Sequence, residues 1–121
     1  MILDTNILIA YLDGETSVAE KIVQWKQEGR GVFVSSISIA EILSLSLLTP
    51  TEVEKIKSFL GNFVSVAFDE EIAEATALFR RKYHLELPDA AIAATAFTQK
   101  SPLVTRDHQF RKIQEITVIE I

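Results

Sequence analysis

Short apolar runs alternate with longer helical segments along this 121-residue chain, and that alternation restricts the fold more than any other feature. The runs are rich in Val, Ile and Phe, which is typical of strands buried on both faces. Strands separated by helices favour parallel pairing. We therefore predict one α/β domain over residues 1–121, a three-layer α/β/α sandwich around a mainly parallel sheet of five short strands. The predicted strands are Met1–Leu3, Gly31–Ser35, Phe63–Ala67, Pro102–Thr105 and Thr117–Ile121.

Helix start signals lie between the predicted strands. Thr49, Pro50 and Glu52 combine an N-cap, a first-position proline and the acidic partner of a capping box. Asp69 is expected to cap a helix that runs to about Tyr83. Further helices are expected to start at Ser17, at Ser36 or Ser38, near Asp89 and near Asp107.

Composition restricts the class of protein. The chain has 17 acidic and 12 basic residues, a net charge of −5, which argues against a general nucleic-acid coat protein. Cysteine is absent, so disulfides and thiolate metal sites are excluded. No apolar run approaches the roughly 18 residues of a membrane span, and no signal peptide is expected. We expect a cytoplasmic protein without membrane contact.

Asp4 is a carboxylate inside the apolar run that opens the chain. Burying an unpaired carboxylate costs several kcal/mol or more, so a partner is expected. A strand that ends in Asp and turns directly into a helix puts the Asp at the carboxyl edge of a parallel sheet. Ligands bind at that edge in open α/β sheets.

Three further acids occupy comparable positions. Glu41 lies early in the helix after the second strand, Asp89 begins the helix before the fourth strand, and Asp107 follows that strand. Crossover helices begin at the carboxyl edge of the sheet, so topology predicts that all four acids meet there. Each also has a structural explanation. Glu41 could complete a capping box with Ser38, while Asp89 and Asp107 could stabilise helix starts.

Four carboxylates at one edge would repel one another strongly unless they were neutralised. Two unit charges about 4 Å apart repel by about 4 kcal/mol at an effective dielectric constant near 20. No lysine adjoins Asp4 or Asp89 in the sequence. Mg²⁺ or Mn²⁺ prefers oxygen ligands of this kind, and such an ion activates water and stabilises charge on a phosphoryl group.

The ordered set of these motifs resembles the PIN domain family over essentially the whole chain, and its compact size is most similar to the VapC toxins of toxin–antitoxin pairs. The resemblance rests on Leu3–Asn6, Glu41, Leu87–Ala93 and Leu103–Phe110. It implies a Mg²⁺- or Mn²⁺-dependent endoribonuclease that hydrolyses RNA with a metal-activated water, leaving a 5′-phosphate and a 3′-hydroxyl.

The resemblance also implies residue roles. Asp4 and Asp89 would be the principal metal ligands, and Glu41 and Asp107 would complete the catalytic, metal-binding set. Asn6 would orient a ligand or the substrate. Thr105 would hydrogen-bond the carboxylates.

Partners are implied as well: an RNA substrate, a small cognate antitoxin and a second copy of the chain in a homodimer. Backbone phosphates require cations, for which Arg80–Lys82, Arg106 and Arg111–Lys112 are candidates. The segments Ile37–Leu48 and Val53–Phe63 carry more apolar residues than one buried face needs, so either could form an interface or simply pack in the core. His84 and His108 are not expected to be essential.

Two other functions are compatible with acids at this edge of the sheet. A phosphotransfer receiver or phosphatase-like α/β domain also has acids after the first strand. The receiver would need a lysine after a late strand, where Thr105-Arg106-Asp107 stands. A phosphatase would need a second Asp at the position of Asn6. A non-catalytic, non-toxin PIN-like binding module would be expected to lack part of the acid set.

Overall fold

A five-stranded parallel sheet forms the centre of the computed structural model, which describes residues 1–121. The strand order is β3-β2-β1-β4-β5, and every neighbouring pair is parallel. The predicted fold class is confirmed. Each observed strand lies within its predicted segment but is shorter. The strands are β1 (Ile2–Leu3), β2 (Phe33–Ser35), β3 (Val64–Val66), β4 (Leu103–Thr105) and β5 (Val118–Glu120).

Strand register separates two apolar layers. Leu3 pairs with Val34 and Val104, and these three residues belong to one buried cluster. Ile2 pairs with Leu103, and both belong to a second cluster. Because side chains alternate between the faces of a sheet, two consecutive residues of β1 supply both layers. This alternation produces the α/β/α sandwich.

Six α-helices and one 3₁₀ helix connect the strands. Helix α4 has the predicted capping box between Thr49 and Glu52, and α5 has the predicted N-cap at Asp69. The helices are α1 (Thr5–Leu12), α2 (Thr16–Gln27), α3 (Ser36–Leu43), α4 (Pro50–Leu60), α5 (Glu70–Tyr83), α6 (Leu87–Thr98) and the 3₁₀ helix His108–Lys112. None of the helices is both long and apolar enough to cross a bilayer.

The predicted N-cap of α2 is wrong by two residues, whereas α3 begins at one of its two predicted starts. Helix α2 begins at Thr16 rather than after an N-cap at Ser17, and its N-cap residue Glu15 makes no capping hydrogen bond through its side chain. The N-cap of α3 is Ser35, whose hydroxyl accepts a 3.1 Å hydrogen bond from the backbone N–H of Ile37. Ser36 is therefore the first residue of that helix, which confirms the first of the two predicted starts, and Ser38 is free for another contact.

Helix α6 is the most deeply buried helix. Every residue from Ala90 to Ala96 is buried, and five of these seven positions are alanine, so the helix can pack close to its neighbours. Asp89 lies in its first turn and is only partly buried. A rigid core element therefore carries this acid to the edge of the sheet.

Candidate active site

Asp4 is fixed at the carboxyl end of β1 by its backbone and its side chain. Its N–H donates to the carbonyl of Val104 at 2.9 Å. Oδ1 accepts from the backbone N–H of Thr5 at 2.7 Å, and Oδ2 accepts from the hydroxyl of Thr105 at 2.6 Å. The bond from Thr5 makes Asp4 the N-cap of α1, a role that its sequence context did not predict. Only 4% of Asp4 is exposed, so the expected burial is confirmed.

The environment of Asp4 disfavours its ionised form. Burial raises its pKa to about 6, against the lowering effect of the hydrogen bonds from Thr105 and Thr5. The charges of Asp89 and Glu41 raise the pKa of Asp4 further. Without a cation, the carboxylate charge of Asp4 is therefore incompletely compensated.

Glu41 is linked to Asp4 through the intervening Thr5. The hydroxyl of Thr5 donates to Oε1 of Glu41 at 2.7 Å, and it lies 2.8 Å from the hydroxyl of the fully buried Ser38. The alternative capping box between Ser38 and Glu41 is wrong, because Ser38 contacts Thr5 and Ser35 caps the helix. Thus α1 and α3 together hold Glu41 toward the sheet edge.

Asp89 and Asp107 are joined by one side chain. The amide nitrogen Nε2 of Gln109 lies 3.1 Å from Oδ2 of Asp89 and 2.6 Å from Oδ2 of Asp107. The backbone N–H of Gln109 donates to Oδ1 of Asp107 at 3.0 Å. Asp107 is therefore the N-cap of the 3₁₀ helix, as its structural explanation predicted, and it also faces Asp89.

Asp89 also experiences repulsion from its neighbours. Burial is the largest cause that raises its pKa, and the charges of Asp107, Glu41 and Glu86 act in the same direction. The hydrogen bond from Gln109 opposes them. Since the charges of Asp89 and Glu41 also act on Asp4, the four predicted acids form one electrostatically coupled set.

Thr105 lies at the centre of the polar contacts. Its hydroxyl donates to Asp4 and accepts a 3.0 Å hydrogen bond from the backbone N–H of Asp107. Asn6 reaches the same hydroxyl through Nδ2, at a long 3.5 Å. The buried Oδ1 of Asn6 has no hydrogen-bond partner. An unpartnered buried amide oxygen is uncommon and favours a role for Asn6 toward a ligand.

Basic side chains neutralise other acids instead of these four. None of the six ion pairs includes Asp4, Glu41, Asp89 or Asp107. Three of the predicted phosphate-binding cations are already paired: Lys82 with Glu115, Arg106 with Glu15 and Arg111 with Glu120.

Arg80 and the two histidines lie outside this acid set. The Nε of Arg80 donates to the carbonyl of Leu85 at 3.3 Å. His84 caps the end of α5 in the left-handed conformation, and exposed His108 contacts Glu120. Neither histidine contacts the four acids.

The oxygen atoms of the four acids and of Asn6 have the chemistry that a hard divalent cation requires. They are carboxylate oxygens with uncompensated charge and one buried amide oxygen, which Mg²⁺ and Mn²⁺ prefer. As the side chains stand, no three acidic or histidine residues are positioned together to hold an ion. Coordination would therefore require side-chain adjustment, for which the partly exposed acids Glu41, Asp89 and Asp107 have room.

Three residues that contribute to this geometry were not predicted from the sequence. In the sequence, Thr5 is only a member of the first motif, Ser38 has the pattern of a helix cap, and Gln109 has no distinguishing signal. Their contacts join residues separated by 33, 36 and 20 positions in the chain. No local pattern encodes such pairs, although a polar residue buried in an apolar helix, as Ser38 is, signals a tertiary partner.

Several solved structures, among them a toxin–antitoxin complex, share this fold. A chain of a toxin–antitoxin complex from Klebsiella pneumoniae is 28% identical, with a TM-score of 0.82 and coverage of 99% of this chain and 98% of that chain. A chain of FitAcB from Neisseria gonorrhoeae is 27% identical, with a TM-score of 0.73 and coverage of 98% and 95%.

A chain of VapBC2 from Rickettsia felis, solved with a promoter DNA fragment, has a TM-score of 0.87 at 20% identity. It covers 99% of this chain and 97% of that chain, and at this identity it shows the shared fold alone. No curated protein matches the sequence.

The family model described as the PIN domain matches residues 1–116, which is nearly the whole chain. This match confirms the resemblance that the spacing of the acidic motifs indicated. The chain belongs to the PIN domain family.

Proposed function

We propose that this protein is a metal-dependent endoribonuclease with a single PIN-like domain over residues 1–121, and that it acts in the cytoplasm as the toxin of a toxin–antitoxin pair. The observation that carries the nuclease proposal is the set of four coupled acids at the carboxyl edge of the sheet, none of which has a basic counterion. Membership of the PIN domain family supports the same proposal.

Asp4 and Asp89 are proposed as the principal ligands of Mg²⁺ or Mn²⁺, and Glu41 and Asp107 as the residues that complete the site. Thr105 holds Asp4 through its hydroxyl, and Asn6 offers its unpartnered oxygen to a ligand or to the RNA. The bound cation would activate a water molecule and neutralise charge on the scissile phosphate.

The proposed reaction is hydrolysis of an RNA phosphodiester. Oxygen from water forms a bond to phosphorus, and the bond from phosphorus to the 3′ oxygen breaks. The products are a 5′-phosphate and a 3′-hydroxyl, with the released protons passing to the leaving oxygen and to solvent. The carboxylates orient the reacting groups at the partly buried carboxyl edge of the sheet, where electrostatic stabilisation is stronger than in bulk water.

The test compares the wild type with Asp4→Asn on end-labelled RNA, with Mg²⁺ or Mn²⁺ and then with EDTA. We expect metal-dependent cleavage that falls by about 100-fold or more in the variant, since a metal contributes several kcal/mol to the transition state. Asp13→Asn is the matched control, because Asp13 lies at the opposite end of α1 and is exposed. Metal-independent cleavage, or an unchanged rate in Asp4→Asn, would contradict the proposal.

The complete absence of cleavage by a folded wild type that binds RNA would favour the non-catalytic binding module. This outcome differs from loss of fold, which circular dichroism would reveal. It also differs from the phosphatase-like alternative, which predicts hydrolysis of a small phosphomonoester. Each function therefore has its own readout in one set of assays.

A small antitoxin is proposed as the protein partner, by analogy with the toxin–antitoxin complex that is 28% identical in one chain. The fold buries some of the apolar residues in the segments Ile37–Leu48 and Val53–Phe63 and leaves others exposed. Ile56 and Leu60 are core residues, whereas Leu45 is 46% exposed and Leu47 is 96% exposed. Leu45 and Ile56 line a cavity of about 280 Å³, and Leu12 and Leu48 line it as well.

Exposed Leu47 provides a direct test of that partner surface. The product of a short neighbouring reading frame should co-purify with the wild type, and Leu47→Asp should weaken the complex. Light scattering of the isolated chain tests the proposed homodimer. A monomeric mass at all concentrations would contradict the dimer, and the absence of co-purification would contradict the antitoxin partnership.

A further inference from the structure

Gln109 occupies the space between two of the four acids. One nitrogen, Nε2, contacts Oδ2 of Asp89 at 3.1 Å and Oδ2 of Asp107 at 2.6 Å. The backbone N–H of the same residue holds the other oxygen of Asp107 at 3.0 Å. Both oxygens of Asp107 are thus bound by Gln109, and one amide group is shared by two carboxylates.

An amide nitrogen carries two hydrogens and can donate to two acceptors at once. Two adjacent carboxylates have only acceptor oxygens, so they cannot hydrogen-bond each other when both are ionised. Hydrogen bonds to ionised acceptors are stronger than neutral ones. Gln109 therefore bridges Asp89 and Asp107 through hydrogen bonds, and neither acid has an ion-pair partner.

The backbone of Gln109 is held firmly by its neighbours. Phe110 is fully buried and Ile113 is 2% exposed, and both belong to the same apolar cluster. On the other side of the bridge, Ala90 anchors the first turn of α6 in that cluster. The bridge thus joins two elements that are each fixed in the core.

We propose that Gln109 is a positioning residue that orients Asp89 and Asp107 for the divalent cation. This inference rests on the proposed function for the identity of the cation, but it assigns a role to a residue outside the acid set. Residues that hydrogen-bond metal ligands typically change metal affinity 10- to 100-fold when they are replaced. Gln109 acts through the two acids and is not itself assigned as a ligand.

Mn²⁺ titration of the full chain by calorimetry tests the proposal without measuring RNA cleavage. Gln109→Met keeps the side-chain length and the backbone N–H but removes both side-chain N–H donors, so we expect about a tenfold or greater loss of Mn²⁺ affinity. Gln27→Met is the matched control, because Gln27 is an exposed residue at the end of α2. The Mn²⁺ affinity of this control variant should equal that of the wild type.

A second variant covers the case in which Gln109→Met folds poorly. Gln109→Lys puts a positive charge beside both carboxylates, so we expect a higher melting temperature in EDTA and strongly reduced Mn²⁺ binding. Wild-type Mn²⁺ affinity in either variant would overturn the role of Gln109 and leave the proposed nuclease intact. If the wild type itself bound no Mn²⁺, the proposed cation would fail, and the positioning role with it.

Discussion

The two halves of the acidic site are held in different ways. The inner half, Asp4 and Glu41, is bound by hydroxyl groups, and Asp4 is almost fully buried. The outer half, Asp89 and Asp107, is more exposed and is bridged by the amide of Gln109. The comparison indicates that Asp4, in the inner half, carries a fixed and costly charge, whereas the partly exposed acids of the outer half can adjust around a ligand.

The largest effect is expected for Asp4→Asn in EDTA. The folded-state pKa of Asp4, about 6, lies above the ordinary value of 3.8. A raised carboxyl pKa favours folding below the unfolded-state pKa, and this stability is lost as pH rises through the folded-state pKa. At pH 8 the ionised Asp4 should therefore cost about 3 kcal/mol, and Asp4→Asn should be more stable by a similar amount.

Urea denaturation of both proteins at pH 8 and pH 4 measures this gain. The difference in unfolding free energy should shrink toward zero at pH 4, where Asp4 is protonated in the folded wild type. A variant that is no more stable than the wild type at pH 8 would mean that the hydrogen bonds from Thr5 and Thr105 outweigh the cost of burial. The inner half would then be relaxed rather than costly.

A smaller effect is expected for Thr105→Val, which removes the hydroxyl that donates to Asp4 and preserves the shape. A hydrogen bond to a charged group contributes about 1.5–3 kcal/mol, so the variant should lose that much stability at pH 8. The loss should be smaller at pH 4, because protonated Asp4 depends less on the donor. Chemical denaturation at the two pH values measures it.

Thr95→Val is the control for this prediction. Thr95 is equally buried, but its hydroxyl donates to the carbonyl of Ala91 within α6. Its loss should be about 1 kcal/mol and independent of pH. Equal pH dependence in the two variants would contradict the link between Thr105 and the charge of Asp4.

For the outer half, Asp89→Asn in EDTA should stabilise the fold less than Asp4→Asn does. The pKa of Asp89 is raised mainly by burial, but the residue is only partly buried, so solvent screens its charge. We expect a gain below about 1 kcal/mol at pH 8 after this screening. A gain equal to that of Asp4→Asn in parallel urea titrations would remove the distinction between the two halves.

The smallest effect is expected for Arg106→Gln, which breaks the surface ion pair with Glu15. Exposed pairs contribute little because water and salt screen them. The melting temperature should not change measurably. A clear decrease that disappears at high salt would show that this pair joins the α1–α2 turn to the site more strongly than its exposure indicates.

Sequence patterning predicted the backbone more completely than the side chains. The five strands followed from periodicity. The convergence of Asp4, Glu41, Asp89 and Asp107 followed from the direction of the crossover helices, which begin at the carboxyl edge of a parallel sheet. A first strand of two residues is long enough, because Ile2 packs in one apolar layer and Leu3 packs in the other.

The contacts that organise the acids could not be predicted in this way. Thr5 and Ser38 meet across 33 residues, and Gln109 reaches back 20 residues to Asp89. These contacts depend on rotamers and on the packing of distant elements. The capping role of Asp4 was missed because a buried acid in an apolar run resembles a ligand site more than a helix start.

The central claim is that the four acids bind a divalent cation through Asp4. Calorimetric titration of the wild type, Asp4→Asn and Asp13→Asn with Mn²⁺ at pH 8 tests it most directly. The account predicts saturable binding in the wild type and in Asp13→Asn, and at least a tenfold weaker affinity in Asp4→Asn. Equal affinity in all three proteins, or no binding by the wild type, would contradict it.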